Sequence, residues 1–260
     1  VLAGGSVFGL AAGDAVTQAL SAQDVGLKLQ PGSKALPVVP CAILHDLASG
    51  QHEQWGEAPP YAALGAAALG NIQADIKQGK AGAGMGANAG LEPGGIGSAS
   101  LQLSGGIVVG AVMAANPVGS VRVPGSEAFW AAPWEIDGEF GAISAEQTQA
   151  AIDPFPNDSR LAAAGKLLAG GNTTIGVVAT NAALSAAQCQ RLAMMAQDGV
   201  ARAVRPAHTP FDGDTIFAVS TGAIPLEDKA SDYMLALIGA AAADCTARAI
   251  AKAVFHAARP

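Results

Sequence analysis

Residues 170–182 read GGNTTIGVVATNA, which places Asn172 and two hydroxyl residues, Thr173 and Thr174, at the mouth of a β-branched run directly behind a glycine pair. As local structure this is a turn feeding a strand, with Gly-Gly-Asn turning and Thr-Thr-Ile-Gly-Val-Val extending. As chemistry it is a cut site. Breaking the Asn172–Thr173 bond gives one residue both a hydroxyl nucleophile and an α-amine of reference pKa about 7.7–8.0, a base suited to neutral pH. The same hydroxyl can open the bond by an N-to-O acyl shift followed by hydrolysis of the ester, and a strained Gly-Gly-Asn turn suits that step.

A second segment, HTPFDGDT (His208 to Thr215), sets Asp212 and Asp214 either side of one glycine before an apolar strand. Alone it reads as an ordinary turn. Beside Thr173 the two acids would orient the ammonium form and the hydroxyl, or receive a substrate's amine. Asn116, which ends the apolar run Ile107 to Ala115 before Pro117, can offer an amide donor to a tetrahedral oxyanion.

Other candidates point to structure. The loop GKAGAGMGANAG invites a phosphate-cradle reading, but Lys80 is followed by Ala81 rather than Ser or Thr, and no strand-then-helix context surrounds its glycines. Backbone approach to a substrate suits that loop better. Ser6 in GGSVFG has the wrong spacing for a nucleophile elbow and reads as a helix cap. His45, His52, His208 and His256 lack metal-ligand spacing, and ordinary polar contacts account for His52 and His256. Cys41, Cys189 and Cys245 form no CxxC pair, which argues against a disulfide framework and a zinc site and fits a reducing cytoplasm. No cofactor and no metal are expected.

These residues need elements to hold them. Ser6 to Leu20 and Tyr61 to Ile76 are alanine-rich and predict helices, with LPVVPCAILHDL between them as a buried strand. Gly79 to Gly97 is a glycine-dense loop. Ser98 to Asn116 predicts two strand segments that pair across Gly105-Gly106. From Arg122 to Asp158, proline, acids and aromatics without sustained period predict a variable surface linker. Ser159 to Leu168 predicts a short helix, then the Thr173 strand. A helix capped by Ser185 follows, with Leu192, Met195 and Val200 on one side. The strand Thr215 to Thr221 and a helix from about Lys229 to Ala257 complete an α/β sandwich within one domain.

The composition agrees with tight layers: half of the residues are hydrophobic but only 5% are aromatic, so alanine and glycine must bring helix and sheet close. The net charge is −7 and the 14 Lys and Arg are scattered, leaving no basic stripe for nucleic acid or anionic lipid. The longest apolar stretches, Ile107 to Ala115 and Tyr233 to Ala243, fall short of the roughly 20 residues of a membrane span, so a soluble, cytoplasmic protein is expected.

The segments VLAGGSVFGLAAGDAV, VPCAILHDL, GAGMGANAGLEPGGIGSAS, GNTTIGVVATNA and SAAQCQRLAMMAQDGVARAVRPAHTPFDGDTIFAVSTG resemble the DmpA-type aminopeptidase/amidase family. The Asn-Thr junction and DGDT are especially similar to its 6-aminohexanoate-oligomer endohydrolase (nylon hydrolase) branch. The resemblance implies an αββα sandwich like that of N-terminal-nucleophile hydrolases. It also implies self-cleavage into an α subunit, 1–172, and a β subunit, 173–260, that stay together and assemble as a homo-oligomer, often a tetramer of αβ units. Thr173 then matches the nucleophile, Asn172 the residue before the cut, Asn116 the oxyanion asparagine, and Asp212 with Asp214 the acidic pair. Two positions depart: His45 stands where relatives tend to have tyrosine, and Asn88 aligns with a lysine of the nylon-oligomer enzymes and supplies no positive charge. Relatives usually carry a further segment ahead of VLAGGS, so the chain reads as cut at its front.

The expected activity is hydrolysis of 6-aminohexanoate oligomers or similar short amides through an acyl-enzyme on Thr173. The alternatives are an aminopeptidase or D-amidase/esterase acting on small peptides, a non-cleaving, non-catalytic homologue, and, least supported, a dinucleotide-binding protein.

Overall fold

The structure is a computed structural model that describes residues 1–47, 55–142, 158–160, 171–227 and 231–259. Strand β1 (Leu2–Ala3) leads through a short 3-10 turn, Ser6–Gly9, into helix α1 (Leu10–Ala22), and pairs in parallel with β2 (Ala42–Ile43). Helix α2 (Tyr61–Gly70) packs on α1 with almost no space between backbones, since a side-chain carbon at Gly65 would stand 2.4 Å from the Ala12 carbonyl oxygen. A small hairpin, β3 (Asn88–Ala89) with β4 (Glu92–Pro93), precedes the long strands β5 (Gly95–Gln102) and β6 (Val108–Asn116). Then come β7 (Thr173–Ala182), α3 (Ala186–Ala203), β8 (Thr215–Ile224) and α4 (Ser231–Ala257).

The main sheet runs β5-β6-β7-β8. Its first three strands are antiparallel, while β7 and β8 are parallel and joined through α3, as a parallel pair requires a crossover. Alternation along the strands divides the two faces. Val109, Ala111, Met113 and Val178 face Leu192, Val200, Ile250 and Val254 of α3 and α4. Ile96, Ala114 and Ile175 face the other way and meet Ala42 and Leu44 of the β1–β2 layer. The order is helix, sheet, sheet, helix, the expected αββα sandwich, with the second sheet reduced to two short strands among the described residues.

Several elements differ from the sequence reading. LPVVPCAILHDL yields only the two residues of β2. Pro37 and Pro40 have no N–H to give a ladder, and Val38 is 84% exposed. Helix α2 stops at Gly70 rather than Ile76, with the Asn71 side chain donating to the Ala67 carbonyl. Ser6 caps nothing with its side chain; it sits at φ 54 and its N–H donates to Leu44 O. Residues 122–142 are no surface linker. Phe129 and Phe140 are buried edge-to-face in the main core, supplying ring volume that an alanine-rich interior lacks. The rest of that stretch, 143–157, and the predicted helix beyond Arg160 lie outside the described residues, as does His52.

Helix α4 is, by length and composition, long and apolar enough to cross a membrane, contrary to the expectation that no stretch would be, and most of it is buried inside the fold. Two of its cations share a partner there. Arg248 and Lys252 both donate to Glu139, and Arg248 also donates to the Ser100 carbonyl at 3.0 Å. Burial pushes the Glu139 carboxyl up, but hydrogen bonds from Arg248 and Lys252 outweigh it and leave the group below its ordinary value.

Candidate active site

Thr173 is the first residue of β7 and lies opposite Asn116, the last residue of β6. Directly opposed residues of an antiparallel pair project to the same face, so the strand register brings these two side chains together. Thr173 is only 4% exposed. Its Oγ1 donates to the carbonyl oxygen of Asn172 at 2.5 Å, and the Gly213 N–H donates to that same oxygen at 2.9 Å. The Asn172 N–H in turn donates to Phe211 O at 3.3 Å, so residue 172 is bridged to the Asp212 loop on both sides.

That loop is held by its acids. Asp212 Oδ1 accepts from the Val118 N–H at 3.0 Å, and Oδ2 accepts from the Thr209 N–H at 3.1 Å and the Thr209 hydroxyl at 2.6 Å. Asp214 Oδ1 accepts from the Thr174 N–H at 2.7 Å, and its Oδ2 lies 2.7 Å from His208 Nδ1. Burial raises the Asp212 carboxyl above its ordinary range despite the donors that favour its ionised form. The hydrogen bond to Asp214 raises His208. The two acids therefore meet main-chain donors, a hydroxyl and an imidazole.

The Asn116 amide is fixed at both ends: Oδ1 accepts from the Asn88 N–H at 2.9 Å and Nδ2 donates to His45 O at 3.1 Å. His45 and Asn88 thus meet Asn116 through their backbones, while the Asn88 side chain turns to Gly86 O. The positive charge that Asn88 lacks is carried close by. Arg160 donates to the carbonyls of Asn88, Asn116 and Pro117 at 3.0, 2.8 and 2.6 Å, and Lys80 donates to Ala87 O at 2.6 Å. Burial pulls Arg160 down to about 10, with Asp212 opposing. Among the described residues no group of three or more His, Cys, Asp or Glu could hold a metal ion.

The fold thus gathers Asn116, Asn172, Thr173, Asp212 and Asp214 at one end of the main sheet, with His45 and Asn88 behind Asn116. Sequence reasoning missed Arg160, His208 and Thr209 as parts of this cluster. Thr209 carried a signal, a hydroxyl three residues before an acid, the spacing of a local side-chain-to-backbone motif. Arg160 carried none.

Residues 1–259 match Peptidase family S58. The chain belongs to this family. It is 42% identical to an uncharacterized aminopeptidase of Mycobacterium leprae, over 99% of this chain and 71% of that one. It is 32% identical to the 6-aminohexanoate-oligomer endohydrolase of Paenarthrobacter ureafaciens, over 86% of this chain and 61% of that one. Among solved structures, a β-aminopeptidase of Burkholderia sp. superposes with TM-score 0.60 at 24% identity, covering 94% of this chain and 64% of its own. The L-aminopeptidase D-Ala-esterase/amidase of Ochrobactrum anthropi, described as a new variant among the Ntn hydrolase fold, gives 0.60 at 20% identity, covering 95% and 62%. This S58 chain therefore spans under two thirds of the length of those two structures and shares their fold.

Proposed function

We propose that this S58 chain is an amide hydrolase whose nucleophile is Thr173, made competent by self-cleavage of the Asn172–Thr173 bond. The observation that carries the reading is the convergence of the Thr173 hydroxyl and the Gly213 N–H on the Asn172 carbonyl oxygen. In the uncut chain, Oγ1 attacks the Asn172 carbonyl carbon, and the Gly213 N–H stabilises the charge that develops on its oxygen. The C–N bond breaks as the hydroxyl proton passes to the departing nitrogen. Water then splits the ester, releasing the Asn172 carboxylate. Thr173 is left with a free α-amine that accepts its hydroxyl proton when Oγ1 attacks a substrate amide, giving an acyl-enzyme that water resolves. Asn116 has a donor on its Nδ2 for the oxyanion of that second attack.

For substrate, the relatives sharing 40–42% identity are named aminopeptidases, which favours short peptides or amides with a free amino end. The relatives named 6-aminohexanoate-oligomer endohydrolases, at 31–32% identity, support linear oligoamides as the second reading.

Intact-mass spectrometry of the purified chain tests the mechanism. Two fragments ending at Asn172 and starting at Thr173 are expected, together exceeding the uncut mass by one water, and Thr173→Ala is expected to remain one piece. A fully active unbroken chain, or activity retained by Thr173→Ala, refutes it. Incubation with an unblocked dipeptide amide and, separately, with a 6-aminohexanoate oligomer ranks the two substrate readings by product mass.

A further inference from the structure

Resting on that reading, we infer that His208 is a positioning residue: it pins the Asp214 carboxylate that holds the peptide following the nucleophile, so that the competence of Thr173 depends on the ion pair between His208 and Asp214. Asp214 has two oxygens and two jobs. One accepts the Thr174 N–H, the amide directly after Thr173, and the other meets the imidazole, both at 2.7 Å. The Asp214 side chain is 5% exposed, whereas that of His208 is 38% exposed. A buried carboxylate is thereby tied on one side to the nucleophile's strand and on the other to a ring that exchanges protons with solvent. His208 makes this contact from φ 54, a left-handed backbone region that is uncommon for residues other than glycine and in which Asn, Asp and His are enriched.

Among the described residues, three groups act on His208. Its own loop brings Asp214 and, further off, Asp212; α3 brings the Gln197 backbone as an acceptor. All favour a charged ring, and the hydrogen bond to Asp214 outweighs burial in raising its pKa above the ordinary value. The sign follows: a raised pKa means that the pair is intact at lower pH and is lost as pH rises through the His208 range. The Thr173 α-amine acts in the opposite sense, since it must lose its proton, at about 7.7–8.0 for a free amino terminus, before it can act as a base. Turnover is therefore bounded on the alkaline side by His208 and on the acid side by Thr173.

His208→Asn separates the two. Asparagine tolerates the left-handed backbone, and its amide can donate to Asp214 without titrating. In the wild type, kcat should fall at alkaline pH along a limb that matches the His208 pKa read from its imidazole NMR signals. In His208→Asn that limb should vanish, with kcat lowered about tenfold near neutral pH and KM unchanged, the loss of one charge-assisted contact. Should His208→Asn not fold, the imidazole is followed in the uncut Thr173→Ala chain, where Asp214→Asn should lower the His208 pKa. An alkaline limb that persists in folded His208→Asn, or a His208 pKa indifferent to Asp214→Asn, overturns the inference. Activity retained by Thr173→Ala instead overturns the nucleophile assignment, so the two failures are distinguishable.

Discussion

Replacing Asp212 by asparagine should uncouple Asn172, the residue before the proposed cut, from its surroundings, and the donor pattern sets the size of the effect. The carboxylate only accepts, and it accepts three times: from Val118 N–H on one oxygen, and from Thr209 N–H and hydroxyl on the other. Asparagine keeps one acceptor oxygen. Turned toward Thr209, it keeps two of the three bonds and sets its NH2 against the Val118 N–H, donor against donor. A buried donor left unsatisfied costs about 1–3 kcal/mol. Asp212→Asn should therefore lower unfolding stability by about 2 kcal/mol, measured by urea titration in the Thr173→Ala background so that every sample is one intact chain. The functional loss should be larger than the stability loss implies. Asn172 is tied to residues 211 and 213 on either side of Asp212, and a displacement of about 1 Å at a reacting centre costs about 100-fold in rate. With Thr173 restored, self-cleavage followed by denaturing gel should slow by about that factor. An unchanged urea midpoint together with unchanged cleavage would refute the assignment of Asp212 as the brace of the proposed cut site.

Glu139→Ala should cost about 3–5 kcal/mol in urea unfolding, because it strands the buried Arg248 guanidinium on α4. Since Glu139 lies below its ordinary range, its contribution should be complete above the unfolded carboxyl pKa and fade as pH falls through the depressed one, so the gap to wild type should narrow in acid. Ser185→Ala should lose about 1 kcal/mol by the same titration, because it removes half of a reciprocal cap with Gln188 at the start of α3, while self-cleavage stays at the wild-type rate.

What could be read from the residues alone was whatever depends on short-range pattern. The helix beginning at Ser185 was legible because a capping residue precedes an apolar face containing Leu192 and Val200, and β7 because β-branched residues follow a Gly-Gly-Asn turn. The residues that meet at the end of the main sheet, Asn116, Asn172, Thr173, Asp212 and Asp214, could be singled out from their local sequence, though their roles stand as proposals. Their wiring could not. That Asn116 is clamped between His45 O and the Asn88 N–H depends on three segments distant in sequence meeting, and nothing local encodes it. Arg160 reaches carbonyls 43 to 72 residues away. The errors also have physical causes. Two prolines break an otherwise strand-like run around β2, and the aromatics of 122–142 turn inward because small side chains leave volume to fill.

The seam of the main sheet has a consequence for any chain cut before Thr173. Strands β5 and β6 would belong to one fragment and β7 and β8 to the other, zipped from Val109–Thr180 to Asn116–Thr173, with α4 of the second fragment lying across β5 and β6 of the first. Neither piece would own a complete interior. Unfolding would then be a dissociation, so the melting temperature of the processed protein should climb with its concentration while that of an uncut Thr173→Ala chain should not.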